Sequence, residues 1–294
     1  MTPLKPLCLL LLCAAASACS QAEAPAAAPP AASATATAAP SADEQLAAQL
    51  MAAVFGKDYR PGHGDALTAL PDSSDRKSIA PYVVTAVAQR VLADGTAVLV
   101  ANAENADDNG EAESGHASPG LLNVFILKRD GAAWRVLKRH ENVDTLGADG
   151  HFGEVLWLQL APGKAGLGIL HGDTAQGYTM QQLSLFDLGA ETLRDLSNGI
   201  SVHSDSEGAC GPETDKCWDI SGAWRFAPAR GDSAYQDLLI DFSGHSEAAQ
   251  ADQAAPRGEA TRARVRTAVH ASARYAYDGK SYQLVEGENV VPEF

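Results

Sequence analysis

Residues 121–140, LLNVFILKRDGAAWRVLKRH, decide the fold class of this chain of 294 residues. An apolar run, Leu121–Lys128, is followed by the turn residues Asp130-Gly131 and by a second run, Trp134–His140. Asp-Gly favours the positive φ angles of a tight hairpin turn, and neither run shows the spacing of apolar residues that is typical of a helix. The segment therefore predicts two antiparallel strands.

The same format recurs further along the chain. Apolar runs flank Ser221-Gly222 in the segment Trp218–Phe226 and Asp278-Gly279 in the segment Tyr275–Leu284. Short runs of this kind, separated by Gly, Asp, Asn and Pro, are typical of an all-β domain. We predict a single, mainly β domain over residues 41–294, built from antiparallel hairpins as a sandwich or a small propeller-like domain.

One short helix is predicted before the strands. Ser41 and Glu44 have the spacing of a capping box, in which each residue satisfies a backbone N–H group of the other. Leu46 and Leu50 then recur on one helical face until Gly56 ends the pattern. The helix should occupy about four turns.

The first forty residues have the composition of an export leader followed by a linker. One lysine, Lys5, precedes the apolar stretch Leu7–Cys13 and the small residues Ala14–Ala18. This layout predicts a secretory signal peptide at residues 1–18, because the apolar run is too short for an ordinary membrane span. Residues 19–40 are rich in Ala and Pro and poor in large apolar groups, and we predict an extended tether there.

The end of the leader, Ala16-Ser17-Ala18-Cys19, resembles the lipobox of bacterial lipoproteins, although Ala16 stands where that family usually has Leu. The resemblance implies that Cys19 becomes the mature N-terminus and carries fatty acyl chains such as palmitate, which would anchor the protein to a membrane. Ser20 is similar to the family's pattern for the outer membrane, with the domain facing the periplasm. Cleavage after Ala18 without lipidation, giving a soluble secreted or periplasmic protein, is the alternative.

The charge of the chain excludes one class of partner. Asp and Glu outnumber Lys and Arg by 37 to 22, which gives a formal net charge of −15. Nucleic-acid binding needs a basic surface that matches the phosphates, so we expect no nucleic-acid partner. The sequence also has no P-loop, no G-x-G-x-x-G, no H-E-x-x-H and no G-x-S-x-G motif, and we predict no cofactor.

Cys210 and Cys217 are the two cysteines that remain in the predicted domain. They enclose a short loop, CGPETDKC, that contains Gly211 and Pro212. In an oxidising compartment such a pair predicts a structural disulfide, whereas a zinc site would need further nearby ligands.

Histidines beside acidic residues suggest a metal site. His171 and Asp173 form one H-x-D pair, and His203 and Asp205 form another. Because residues i and i+2 lie on the same face of a strand, the two pairs could offer four ligands to one divalent ion. The alternative is that these are ordinary turn and strand-end residues, hydrogen-bonded to each other.

Arginines alternate near the C-terminus, at Arg262, Arg264 and Arg266. On a strand they would line one face and could bind carboxylate or phosphate groups of a ligand. The alternative is that they pair with acidic residues of this chain. Two long polar segments, 103–120 and 244–259, are predicted to be either mobile insertions or binding loops.

Together these features predict a lipid-anchored envelope protein that acts as a non-catalytic binding or interaction module for an unknown envelope protein or glycan. The alternative function is an envelope hydrolase or metal-dependent enzyme that uses the His/Asp pairs. Histidine and aspartate side chains clustered around one concave site would favour the enzyme, and scattered, hydrogen-bonded histidines would favour the binding module.

Overall fold

The computed structural model describes residues 40–75, 77–211, 213–249 and 264–293. The predicted signal peptide, Cys19, all of the tether except Pro40, and Arg262 lie outside the described residues. Helix α1 spans Ala42–Phe55, and the capping box is present: Ser41 N–H donates to Glu44 Oε2 over 2.6 Å, and Glu44 N–H donates to Ser41 Oγ over 3.2 Å. In these ranges no helix is long and apolar enough to cross a membrane.

The first sheet has six strands in sequence order, each antiparallel to the next. The strand pair that the opening segment predicts lies at one edge of this sheet, with a turn at Gly131, where φ is 61°. The strands are β1 (Tyr59–Arg60), β2 (Asp65–Pro71), β3 (Ile79–Val91), β4 (Thr96–Asn105), β5 (Gly120–Asp130) and β6 (Ala133–Leu146).

The second sheet has eight strands, again in sequence order and antiparallel throughout. The strands are β7 (Glu154–Ala161), β8 (Lys164–Ala175), β9 (Tyr178–Asp187), β10 (Ile200–Asp205), β11 (Lys216–Ala227), β12 (Asp237–Ala249), β13 (Arg264–Tyr277) and β14 (Tyr282–Gly287). The prediction of a mainly β, antiparallel fold with one short N-terminal helix is confirmed. Of the two predicted arrangements, the sandwich agrees with these two sheets.

Apolar layers cover both faces of the first sheet. On one face, Leu50 and Phe55 of α1 pack against Phe125, and the rings of Phe55 and Phe125 lie 5.4 Å apart, edge to face. On the other face, Val124 packs with Ile169 of the second sheet. Burial on both faces explains why β4 and β5 are continuous apolar runs, because a strand with one wet face would alternate.

The second sheet curls around a core of its own. Leu160 at the end of β7 shares this core with Ile240 of β12 and Tyr282 of β14, although these strands lie at opposite ends of the sheet order. Gln236, just before β12, donates its backbone N–H to the carbonyl of Leu160 over 2.7 Å. The second sheet meets the first through Leu167 and Ile169 of β8 and Phe186 of β9, which share a cluster with residues of β4 and β5.

Two local predictions are wrong. Ser221-Gly222 is not a turn, because β11 runs through it and Gly222 pairs with Phe242 of β12. A Cβ atom at Gly222 would lie 2.6 Å from the side chain of Ile240, so glycine here makes room for core packing. Segment 244–259 does not start as a loop, because residues 244–249 belong to β12.

Candidate functional site

A cleft of about 450 Å³ opens where the two sheets meet. Three segments border it: the loop between β4 and β5, the loop 147–153 that joins the sheets, and the β8–β9 hairpin. Its ionisable lining residues are His116, Asp149, His151, Glu154, His171 and Asp173. Concave sites of this size with a few converging polar groups are typical of ligand binding.

The loop that joins the sheets is held tightly in place. Gly147 and Gly153 have φ angles of 70° and 106°, and a Cβ atom at either would lie 2.2–2.3 Å from a backbone oxygen. Asp149 N–H donates to the carbonyl of His116 over 3.0 Å, and the buried side chain of Asn102 donates to the carbonyl of Gly150 over 2.7 Å. The loop therefore presents Asp149 from a fixed backbone, as a binding site requires.

His116 lies between two carboxylates of this cleft. Its Nδ1 is 3.1 Å from Asp149 Oδ1, and its Nε2 is 3.5 Å from Asp173 Oδ1. The hydrogen bond with Asp149, and then the charges of Asp149 and Asp173, raise the pKa of His116 above its ordinary value. The three side chains are 43–67% exposed, so water and salt screen this charge cluster.

His171 has the opposite environment. The residue is 9% exposed, and burial lowers its pKa, which keeps the ring neutral. Its Nε2 lies 3.1 Å from Ser184 Oγ, and that hydroxyl donates to Asp195 Oδ2 over 2.9 Å. A hydroxyl has one proton, so Ser184 accepts from His171, and the proton of the neutral ring is on Nε2. Nδ1 therefore carries a lone pair.

That lone pair is available to a ligand. Within the described ranges, Nδ1 of His171 makes no hydrogen bond. It is not among the atoms that are both fully buried and unpaired, so it is not fully buried. The atom therefore keeps contact with solvent, at a residue that lines the cleft. Asp195 is held in place by backbone N–H groups of Leu185, Ser197 and Gly199 at 2.8–3.1 Å, which fixes the hydrogen-bonded chain behind the ring.

The structure divides the four predicted metal ligands between two places. His171 and Asp173 of β8 line the cleft, whereas His203 of β10 is not among the lining residues and contacts Asp205 at 3.2 Å and Ser221 Oγ at 3.0 Å. Among the residues that the structure describes, no three His, Cys, Asp or Glu side chains are grouped closely enough to hold a metal ion. The two H-x-D pairs are thus not brought together.

The two described arginines of the predicted stripe contact groups of this chain. Arg264 donates from Nη2 to the carbonyls of Gly211 and Thr214 over 2.5 and 2.6 Å, inside the loop that the cysteines close. Arg266 Nη2 lies 2.9 Å from His245 Nδ1, and its Nη1 lies 3.9 Å from Glu247. Both arginines therefore have partners within the second sheet and its loops.

Cys210 and Cys217 are joined by a disulfide, with their Cα atoms 5.6 Å apart, which is a usual separation for such a bond. Cys217 is buried at the start of β11, whereas Cys210 is exposed. Arg264 Nη1 lies 3.4 Å from Cys210 Sγ and also contacts Cys217 Sγ. The bridge and Arg264 together hold Gly211 and Thr214 against β13.

No local sequence pattern marks His116, Asp149 or Ser184 as site residues. His116 has no acidic neighbour in the sequence, and its partner Asp149 is 33 positions away. The available signal was indirect, because His116 lies in the polar segment 103–120 that was predicted to be a mobile insertion or a binding loop. Comparisons with protein-family models, with curated proteins and with solved structures find no match to this chain.

Proposed function

We propose that this chain is an exported lipoprotein of the bacterial outer membrane, anchored through acylated Cys19 and facing the periplasm, whose β-rich domain binds an envelope protein or glycan without catalysis. The leader and the lipobox-like end at Cys19 support export and anchoring. The Cys210–Cys217 bridge supports an oxidising compartment, because disulfides persist outside the cytosol.

The cleft between the sheets carries the binding proposal. A rigid loop, a long loop and a hairpin bring Asp149, His116 and Asp173 to one concave surface, and the ring of His171 lines the same surface. The hydroxyl closest to His171, that of Ser184, is fully buried and donates its proton to a carboxylate. That hydroxyl is therefore unsuited to act as a nucleophile, and the arrangement supports binding over hydrolysis.

One observation favours the alternative enzyme. The environments of His116 and His171 shift their pKa values in opposite directions within one cleft. Opposite pKa shifts of this kind are typical of an acid and a base that act together. The cleft also contains the cluster of His and Asp side chains that would favour the enzyme. Turnover of a bound envelope component, lost when His171 is replaced by Gln, would favour this second candidate.

Anchoring is tested by metabolic labelling of the full chain with a clickable palmitate analogue. We expect label on the wild-type protein and none on Cys19→Ser, which should also leave the membrane fraction. The same label and membrane fraction in both proteins would refute anchoring through Cys19.

Binding is tested with the full-length protein, purified in detergent and immobilised, and with solubilised envelope material passed over it. Wild type should retain a component that Asp149→Asn/Asp173→Asn does not retain. The matched control is Asp241→Asn, which removes a similarly exposed carboxylate on β12 that pairs with Arg225 of β11. Equal retention by all three proteins would refute the cleft as the binding site.

A further inference from the structure

We propose that the cleft is a site for a primary ammonium group, carried by a lysine side chain or by an amino sugar. This inference rests on the proposed binding function and gives the chemical class of the ligand. The cleft offers acceptors of high charge density: the carboxylates of Asp149, Asp173 and Glu154 line it, and all three residues keep solvent exposure. An ammonium group has three donors and one positive charge, which match such a set.

His171 provides an independent reason to expect a donor in the ligand. Its ring is nine-tenths buried and neutral, and Ser184 takes the Nε2 proton, so Nδ1 can only accept a hydrogen bond. Nδ1 has no hydrogen-bond partner within the described ranges and keeps contact with solvent at the wall of the cleft, so it is open to a donor group of a ligand. An N–H donor of a bound ammonium group would satisfy it.

The spacing of the acidic groups favours an ammonium ligand over a metal ion. A divalent ion needs several ligand atoms within about 2–2.6 Å of one point. In the part of the chain that is described, no group of three or more His, Cys, Asp or Glu side chains is arranged to hold a metal ion. The donors of an ammonium group need only hydrogen-bond distances of about 2.7–3.2 Å. A volume of about 450 Å³ also leaves room for the rest of an amino acid or a sugar.

His116 makes the site sensitive to pH. The groups that face it are the carboxylates of Asp149 and Asp173 and the main chain of Thr174. The cleft also contains His151, Glu154 and His171. A protonated His116 occupies the two carboxylates and repels a second cation, whereas a neutral His116 leaves the cleft more negative. Because the carboxylates raise the pKa of His116, ammonium binding should strengthen as the pH rises through that raised value.

The test uses isothermal titration calorimetry on the full-length protein with two matched ligand pairs. Nα-acetyl-lysine amide is compared with Nα-acetyl-norleucine amide, which has the same shape without the ammonium group. The disaccharide of glucosamine is compared with its N-acetylated form. We expect one amine to bind at least tenfold more tightly than its neutral partner, the ratio that one charge-assisted hydrogen bond provides. The amine that binds identifies the source of the ammonium group.

Three variants locate the effect. Asp149→Asn/Asp173→Asn should weaken binding of the amine about tenfold or more, while Asp241→Asn leaves it unchanged. His116→Gln should bind the amine at pH 8. Its affinity should not decrease at pH 5.5, whereas that of the wild type should. Thermal unfolding of each variant verifies that it is folded, as expected for side chains that are largely exposed.

Equal affinity for the amine and its neutral partner overturns the inference, and so does tighter binding at pH 5.5 than at pH 8. If neither amine binds but the cleft still retains an envelope component in a manner that depends on Asp149 and Asp173, the ammonium inference fails and the binding function stands. Stoichiometric binding of Zn²⁺ that requires the same two carboxylates would also overturn it, because the cleft would then be a metal site.

Discussion

Removal of the disulfide should destabilise the protein by a predictable amount. The bridge joins residues seven positions apart, so it closes a loop of eight residues. In the chain-entropy model, closing such a loop costs the unfolded chain about 8 cal/mol/K, which corresponds to about 2.5 kcal/mol of stability at 25 °C. We expect Cys210→Ser/Cys217→Ser to lower the free energy of unfolding by this amount, measured by urea denaturation of the mature full chain under oxidising conditions.

Replacement of Arg264 tests why the disulfide stabilises the protein, and not only by how much. Its guanidinium contacts carbonyl oxygens at Gly211 and Thr214, whose positions the bridge helps to fix. Arg264→Ala should therefore cost about 1–3 kcal/mol with the disulfide present and measurably less without it. A loss below about 0.5 kcal/mol for the double serine variant, or strict additivity with Arg264→Ala, would refute the reasoning.

Ser184→Ala should lower the free energy of unfolding by about 1–3 kcal/mol, because it leaves the buried Nε2 of His171 without its partner. Nitrogen NMR of this variant should then report a mixture of the two His171 tautomers, and an unchanged tautomer would contradict the assignment of the proton to Nε2. Arg274→Met should lower the free energy of unfolding by about 3–5 kcal/mol in chemical denaturation, because Asp237 is 1% exposed and loses the guanidinium that pairs with it. Further replacement of Asp237 by Asn should recover part of this loss, and no recovery would count against a charge effect. The contribution of His171 to stability should fall as the pH drops from 7 to 5, because burial lowers the pKa of His171 in the folded state and the unfolded chain then binds more protons. His171→Gln should lack this part of the pH dependence, and identical pH profiles would exclude the contribution.

The features of the fold that are local in sequence could be predicted. The capping box at Ser41 and the turns at Gly131 and Gly279 depend on residues within four positions of each other, and all three are present. Ser221-Gly222 has the same local sequence pattern but lies inside β11, because Gly222 packs against the side chains of Ile240 and Phe242 on β12. Contacts of that kind are set by tertiary packing and leave no local pattern.

The candidate site was predictable only in part, for the same reason. His171 and Asp173 were found as a pair, since they alternate on one strand. The chemistry of each depends on distant residues: Ser184 on the neighbouring strand fixes the tautomer of His171, and His116 reaches Asp173 from a loop in the other half of the chain. Pairing of residues across two sheets cannot be deduced from spacing along the sequence.

In both sheets every strand pairs only with its neighbours in the sequence, and this order has a consequence for synthesis. Strands can add one after another as the chain emerges, so the first sheet has all its partners once β6 is made. Its face with Val100 and Val124 stays bare until β8 and β9 arrive with Leu167 and Phe186. A chain that ends at the joining loop would thus expose an apolar surface that is prone to aggregation until the second sheet forms.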